Sequence, residues 1–518
     1  MDELEAVLKH LKKNKSRDPK GYANEVFRTE VAGDDLKLAL LKLMNRVKDE
    51  QIIPKEFELC SITSIFKKGK AGKNDFNNYR GVFRVNIFRS ILDRLIFNDY
   101  YGKVDDFLTD CNVGGRQKRN IRDNLFVLNA ITNLASKGKG KPCDIAAYDI
   151  EKCFDAMWAQ ETINDMWDAG CRDNKLSILH MENQSAQVVV KTAAGKSDPV
   201  VISNFIMQGG VMGGLFCTNS MDKLGKIVYE DENLLYTYKG TKVPCLQMVD
   251  DIITVTECES ANAVKMNSVV NTFVETKKMK LSEKKCAVLH VGKQCDKCPK
   301  LKVHGKTMHK TDHIKYLGDT VHESGKISHN IAERRAKGYA AFAEIRAILE
   351  DVPLGKYRIQ IGLQLRQAIF VNGVLVNSEV WHGVKPSDLD ILIKIDHQIL
   401  RYICGAHAKT PIEFLYMETE SLPLEFIVSC RRMIYLQVIL KRDNNELLKR
   451  VYLAQKQNPT EGDYSKLVID DYSKIDQEIN EDAIIAMSKF QYKNYIKKHI
   501  KQAAFEHLKD IQKITLQS

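Results

Sequence analysis

The segment VPCLQMVDDIITVTE, residues 243–257, sets two adjacent carboxylates, Asp250 and Asp251, between two β-prone apolar runs. Strand alternation sends neighbouring side chains to opposite faces, but a tight hairpin turn relaxes that rule and lets both converge on one ion. Asp149 has the same setting, closing the apolar run that begins at Ile145 in CDIAAYDIEKCFD and entering a turn. Three aspartates at strand ends suit two hard cations of the Mg²⁺ kind. In-line phosphoryl transfer uses such a pair to activate an attacking hydroxyl and to stabilise the charge that develops. An isolated Asp-Asp pair reads more simply as a hydrophilic turn, so order and context must decide.

The elements that would position these carboxylates lie between Cys143 and Leu317. There, short β-rich runs (CDIAAYDI, QVVVKTAAG, PVVISNF, KCAVLHVG, HIKYLGDTV) alternate with helical stretches from Ala159 to Ala169, after Gly214, and from Ser260 to Lys280. The pattern predicts a mixed domain with a largely antiparallel sheet. Ahead of it, residues 1 to about 60 read as helical, followed by SITSIFKKGKAGKNDFNNYRGV, a hairpin-like segment with Lys67, Lys68, Lys70 and Lys73 at its turn and Arg80 on its return. Two cationic arms suit a phosphate, and a solvated loop suits the same residues. Beyond residue 325 the pattern is helical, with candidates at 328–350, 355–381, 387–403, 422–442 and 481–512, and the polar stretch Asn458 to Asp471 reads as a link.

Composition bounds the class. The 518 residues are enough for about three domains and sizeable cores. A charge of 78 basic minus 67 acidic residues, +11, favours anionic partners such as nucleic acid. Thirteen irregularly spaced cysteines behind an N-terminus without an apolar signal core point to reduced thiols, inside the cell, in nucleus or cytoplasm. The longest apolar runs fall short of a membrane helix.

In order, LKKNKSRDPKGYANEVF, FKKGKAGKNDFNNYRGV, NVGGRQKRNIRDNLFVL, YDIEKCFDAM, QGGVMGGLFCTNSMDKLG, MVDD, LSEKKCAVLHVG and KYLGDTV resemble the motif series of the reverse transcriptases of non-LTR (LINE-like) retrotransposons. The similarity runs from about Leu8 to Trp381. It implies an α+β right-hand polymerase: N-terminal extension and fingers over 1–140, palm over 141–324 with inserted fingers helices, helical thumb over 325–400, and a helical region of unknown role over 401–518. The implied activity is RNA-directed DNA synthesis from dNTPs onto a DNA primer along an RNA template, with two Mg²⁺ ions that Mn²⁺ can replace. Asp149, Asp250 and Asp251 would hold the metals, and Lys285 would protonate the leaving pyrophosphate. Lys67 and Arg80 would meet the triphosphate, Phe154 would exclude a ribose 2′-hydroxyl, and Gln208 and Gly209 would line the nucleotide pocket. Tyr316, Leu317 and Gly318 resemble the primer grip.

Two positions depart from the family pattern: Gly213-Gly214 stands where a Ser-Pro pair is usual, and Met248 where an aromatic is. A zinc site on Cys295, Cys298, His304 and His309 is a minor reading, since the spacing departs from common fingers. Arg334, Arg335, Lys337 and Arg346, and later Lys493, Lys497, Lys498 and Lys501, are basic helix faces for a nucleic-acid backbone or simply for water. No nuclease or ribonuclease H pattern is seen, so a DNA nick would come from an element-encoded or host endonuclease. The rival readings are a catalytically weak polymerase-derived RNA/DNA-binding protein and an RNA-copying RNA polymerase.

Overall fold

The structure is a computed structural model of the chain; it describes all residues except 68–71, 73, 76–77, 185, 193–194, 203–205, 208, 259–260, 294–299 and 518, and the side chains of 514–517. Two five-stranded sheets organise it. One lies within the expected palm, is called the palm sheet below, and runs in the order His309–Thr311, Ala287–Val291, Cys143–Tyr148, Asp251–Glu257, Leu246–Met248. Of its three central strands, Cys143–Tyr148 runs antiparallel to both of its neighbours, as the patterning predicts.

Period-two alternation decides what each palm strand packs against. Ala146, Tyr148 and Ile252 enter one core, shared with the helices Ile87–Phe107, Gly213–Tyr229 and Ala261–Thr276. Cys143, Ile145, Ile253, Val255 and Leu289 face the opposite way, into a core shared with the Ile121–Ser136 helix. That helix starts sharply: Asn120 and Asp123 form a reciprocal capping box that satisfies its first free N–H groups.

The second sheet contains the expected fingers hairpin and is called the fingers sheet below. Leu59–Phe66 and Tyr79–Val85 form the expected hairpin, paired from Cys60 and Val85 out to Phe66 and Tyr79. The runs QVVVKT and VVI do not join the palm as their chain position suggests. Ala186–Thr192 lies parallel to the first fingers strand, with Leu59 opposite Gln187, and Val200–Ile202 pairs with it in turn. Cys60, Val188 and Met207 close a small core between them.

The helical half departs from two expectations. The boundary at 400 falls inside the Pro386–Cys404 helix, because the stripe Leu389, Leu392, Ile395, Ile399 and Ile403 stays continuous with the thumb core around Ile331, Phe370 and Trp381. Proline in the first turn and Gly405 at φ 63 just past the end delimit that helix. Nor is 458–471 a link: Tyr464–Lys474 is a helix. Its Asp471 is fully buried, bonded to Arg432 Nη1 and Ser429 Oγ at 2.6 Å each. Charge neutralised by a distant partner is invisible to local patterning. Met433, Leu436, Tyr464, Tyr492 and Ile496 complete the second palm core, so the C-terminal helices back the palm sheet. Among the described residues no helix is long and apolar enough to cross a membrane.

Candidate active site

Sheet register brings the carboxylates together. Ile252 stands opposite Tyr148, so Asp251 and Asp149 share one end of neighbouring strands. Ala287 stands opposite Ala147, which carries the 282–286 turn to the same end. Lys285 Nζ contacts both Asp149 carboxylate oxygens, at 3.0 and 2.8 Å. The Asp149 backbone is fixed by Ser282 N–H to its carbonyl at 2.8 Å, and Glu151 N–H donates to Lys280 O, also at 2.8 Å.

Asp250 lies in the two-residue turn between Leu246–Met248 and Asp251–Glu257, as the hairpin reading predicts. Loss of hydration and the neighbouring Asp149 charge push its carboxyl above the usual range, against the pull of Arg80 and Lys285. Asp251 opens to solvent, but the cleft walls displace much of its water, and with Asp250 and Asp149 beside it the group is pushed up to about 6. Carboxylates so crowded leave negative charge uncompensated, and their all-oxygen donor set fits Mg²⁺.

The turn is held in a costly shape. Val249 has φ 61, a region that β-branched residues avoid. Asn112, completely buried, pays for it with one side-chain oxygen that accepts from Gly114 N–H at 3.1 Å and Val249 N–H at 3.4 Å. Gly114 is required because a Cβ there would lie 2.4 Å from the Val249 side chain. Val113 N–H donates to Gln247 O at 3.1 Å and Gln247 N–H to Cys111 O at 2.9 Å, so the NVGG loop acts as an extra strand beside the hairpin. The motifs assign Asn112 no role of its own; its signal is a polar residue one position removed from the Gly114-Gly115 pair, in NVGG.

The other expected residues divide. Lys67 and Arg80 flank the mouth of the fingers hairpin, where Lys67 N–H donates to Asn78 O at 2.8 Å. Arg80 is exposed and its charge reaches Asp250, while Lys68, Lys70 and Lys73 lie outside the described residues. Phe154, in the Cys153–Ala156 turn of helix, is half-buried against the first palm core. Gln208 lies outside the described residues; Gly209, at φ 103, approaches the fingers strand so closely that a Cβ would stand 3.1 Å from Phe83 O. Gly213 has a similar reason: its Cβ would meet Met207 O at 2.4 Å.

Tyr316 is buried, its hydroxyl donating to Leu246 O at 3.3 Å and accepting from Asn124 Nδ2 at 3.2 Å. Its side chain therefore braces the hairpin from behind. Leu317 and Gly318 form the following turn at φ 47 and 91. Arg334, expected on a basic face, is buried and pairs with Asp319 at 2.5 Å; Asn377 and Trp381 also bond that carboxylate. It ties the thumb to the Tyr316–Asp319 turn, whereas Arg335, Lys337, Arg346, Lys493, Lys497, Lys498 and Lys501 are exposed. Of the minor zinc set, Cys295 and Cys298 lie outside the described residues, His304 Nε2 stands 3.2 Å from Leu281 O, and His309 is exposed.

Residues 71–321 match the family model described as reverse transcriptase (RNA-dependent DNA polymerase). The chain carries a reverse transcriptase domain, the domain of RNA-directed DNA polymerases. The architecture is the α+β fold of that domain with a helical C-terminal region. Among solved structures it is similar to apo telomerase from Candida tropicalis, with 11% identity over 81% of this chain and 74% of that chain and a TM-score of 0.40. Telomerase from Candida albicans in complex with a TWJ fragment of telomeric RNA gives 10% identity over 76% and 68%, TM-score 0.40. A Candida tropicalis apo telomerase truncated from its C-terminal domain gives 12% over 56%, with only 59% of that chain spanned, TM-score 0.37.

Proposed function

We propose that this chain is the reverse transcriptase of a LINE-like retroelement, extending a DNA primer 3′ end along an RNA template from dNTPs, inside the cell in nucleus or cytoplasm. The observation that carries the reading is the convergence of Asp149, Asp250 and Asp251 at one end of the palm strands, within the matched domain. The finer family assignment rests on the motif series from Leu8 to Trp381.

In this reading the three aspartates hold two Mg²⁺ ions, which when bound supply charge stabilisation and lower the pKa of the primer hydroxyl. Arg80 and Lys67 reach from the fingers to the triphosphate, Arg80 as a bidentate donor. Phe154 lies under the sugar and excludes a 2′-hydroxyl. Lys285, which contacts Asp149 in the structure, would donate a proton to the leaving pyrophosphate. Gln208 and Gly209 line the nucleotide pocket, and the Tyr316–Gly318 turn supports the primer end.

The test is extension of a labelled DNA primer on RNA with dNTPs and Mg²⁺, by the full chain and by Asp250→Ala. Extension by the first and none by the second supports the reading. No extension by either, with salt-sensitive template binding retained, replaces it with the binding-only alternative. Phe154→Ala should admit ribonucleotides; unchanged dNTP selectivity would remove the sugar gate.

A further inference from the structure

The far end of the palm strands carries a second group of ligand-type side chains. Register sets Asp144 directly across from His290 on one neighbouring strand and from Thr256 on the other. Cys258 follows Thr256 by two residues, its N–H donating to Pro142 O at 2.9 Å. One ligand atom from each of Asp144, Cys258 and His290 lies within 4.8 Å of the other two. At about 3.3 Å per residue this group stands roughly 16 Å from Asp149 along the strand, outside the catalytic cleft.

The surroundings of His290 call for a cation. Its Nε2 stands 2.9 Å from Lys293 O and its Nδ1 2.9 Å from Asp144 Oδ1. A carbonyl and a carboxylate only accept, and neutral imidazole has a single N–H. If Nε2–H donates to Lys293 O, the Nδ1 lone pair faces a carboxylate oxygen, an arrangement that a cation bound between the two groups would relieve. One ring N–H given to a backbone carbonyl, with the other nitrogen turned to an ion, is how a metal-bound histidine is usually oriented. Asp144 is 4% exposed, so bulk water does little to relieve the clash.

We propose that in the reduced chain Asp144, Cys258 and His290 bind a zinc ion that clamps this end of the palm sheet. Mixed sulfur, nitrogen and oxygen donors suit Zn²⁺ better than Mg²⁺. Cys258 is disulfide-bonded in this structure. The site therefore forms after that bond is reduced: a phosphine or dithiol reductant supplies two electrons, two thiols result, and the Cys258 thiol gives its proton to solvent as it takes the ion. Three ligands leave one tetrahedral position. Cys295 and Cys298 follow His290 by five and eight residues in the sequence, but lie outside the described residues and form no part of the assignment.

The experiment uses the full chain, reduced with a phosphine, then equilibrated with Zn²⁺ under excess Mg²⁺ and freed of unbound metal. Zinc is read by mass spectrometry and by transfer to a chromophoric chelator. One equivalent is expected, absent from the unreduced chain, kept in Asp250→Asn, and lost in Cys258→Ser and His290→Ala. The isosteric Asp144→Asn, which guards against misfolding, should weaken binding at least about tenfold. No zinc on the reduced chain, or undiminished zinc in any of the three ligand variants, overturns the proposal.

Discussion

The two ends of the central palm strands hold similar side chains in opposite states. At one end Asp149 and Asp250 are half-buried and Asp251 is exposed, and Lys285 pairs with Asp149. At the other end Asp144 is buried and engaged by His290. Charge can be left uncompensated where solvent, metal and nucleotide reach it; where they do not, each charged group needs a fixed partner. In the proposed reading the first end receives changing occupants, while the second keeps a fixed contact.

The comparison breaks most visibly at Asp250. Asp250→Ala should lower primer extension by about a thousandfold or more while leaving thermal stability equal or higher, because it removes a crowded charge. A fall in both would mean that the carboxylate serves the fold.

Asn112→Ala should cost roughly 1–3 kcal/mol of stability by orphaning two turn N–H groups, and should slow extension without changing dNTP KM. Chemical denaturation and single-turnover kinetics check the two parts. Tyr316→Phe, which loses one hydroxyl and its two bonds, should cost on the order of 1 kcal/mol with a smaller effect on rate. A large loss of primer affinity instead would give that ring a direct role at the primer.

The smallest effect is on pH dependence. Asp251 has its folded pKa raised from 3.8 to about 6. Between those values the folded, metal-free chain holds more protons than the unfolded one, so this group makes stability fall as pH rises through the window and adds no further change above it. Asp251→Asn should flatten that slope in melting curves taken with a chelator present, and an unchanged slope would place its source elsewhere.

Local sequence carried much of this protein. Alternation in CDIAAY and DIITVTE predicts the palm strands, the Asp250 turn follows from its flanking apolar runs, and helical spacing predicts the thumb helix Ile327–Leu349 almost to the residue. The ordered motifs predict one site for the three carboxylates, and strand register brings them to the same end of the sheet. Tertiary structure alone decided that Ala186–Thr192 joins the fingers, over a separation of more than a hundred residues from Leu59. It also buried Arg334 against Asp319, turned the polar 464–474 stretch into a helix around Asp471, and made Asn112 the brace of the Asp250 hairpin. The physical reason is common to these cases. Periodicity records which face of an element is apolar, while strand partners and the burial of charge depend on groups that only the folded chain brings within hydrogen-bonding distance.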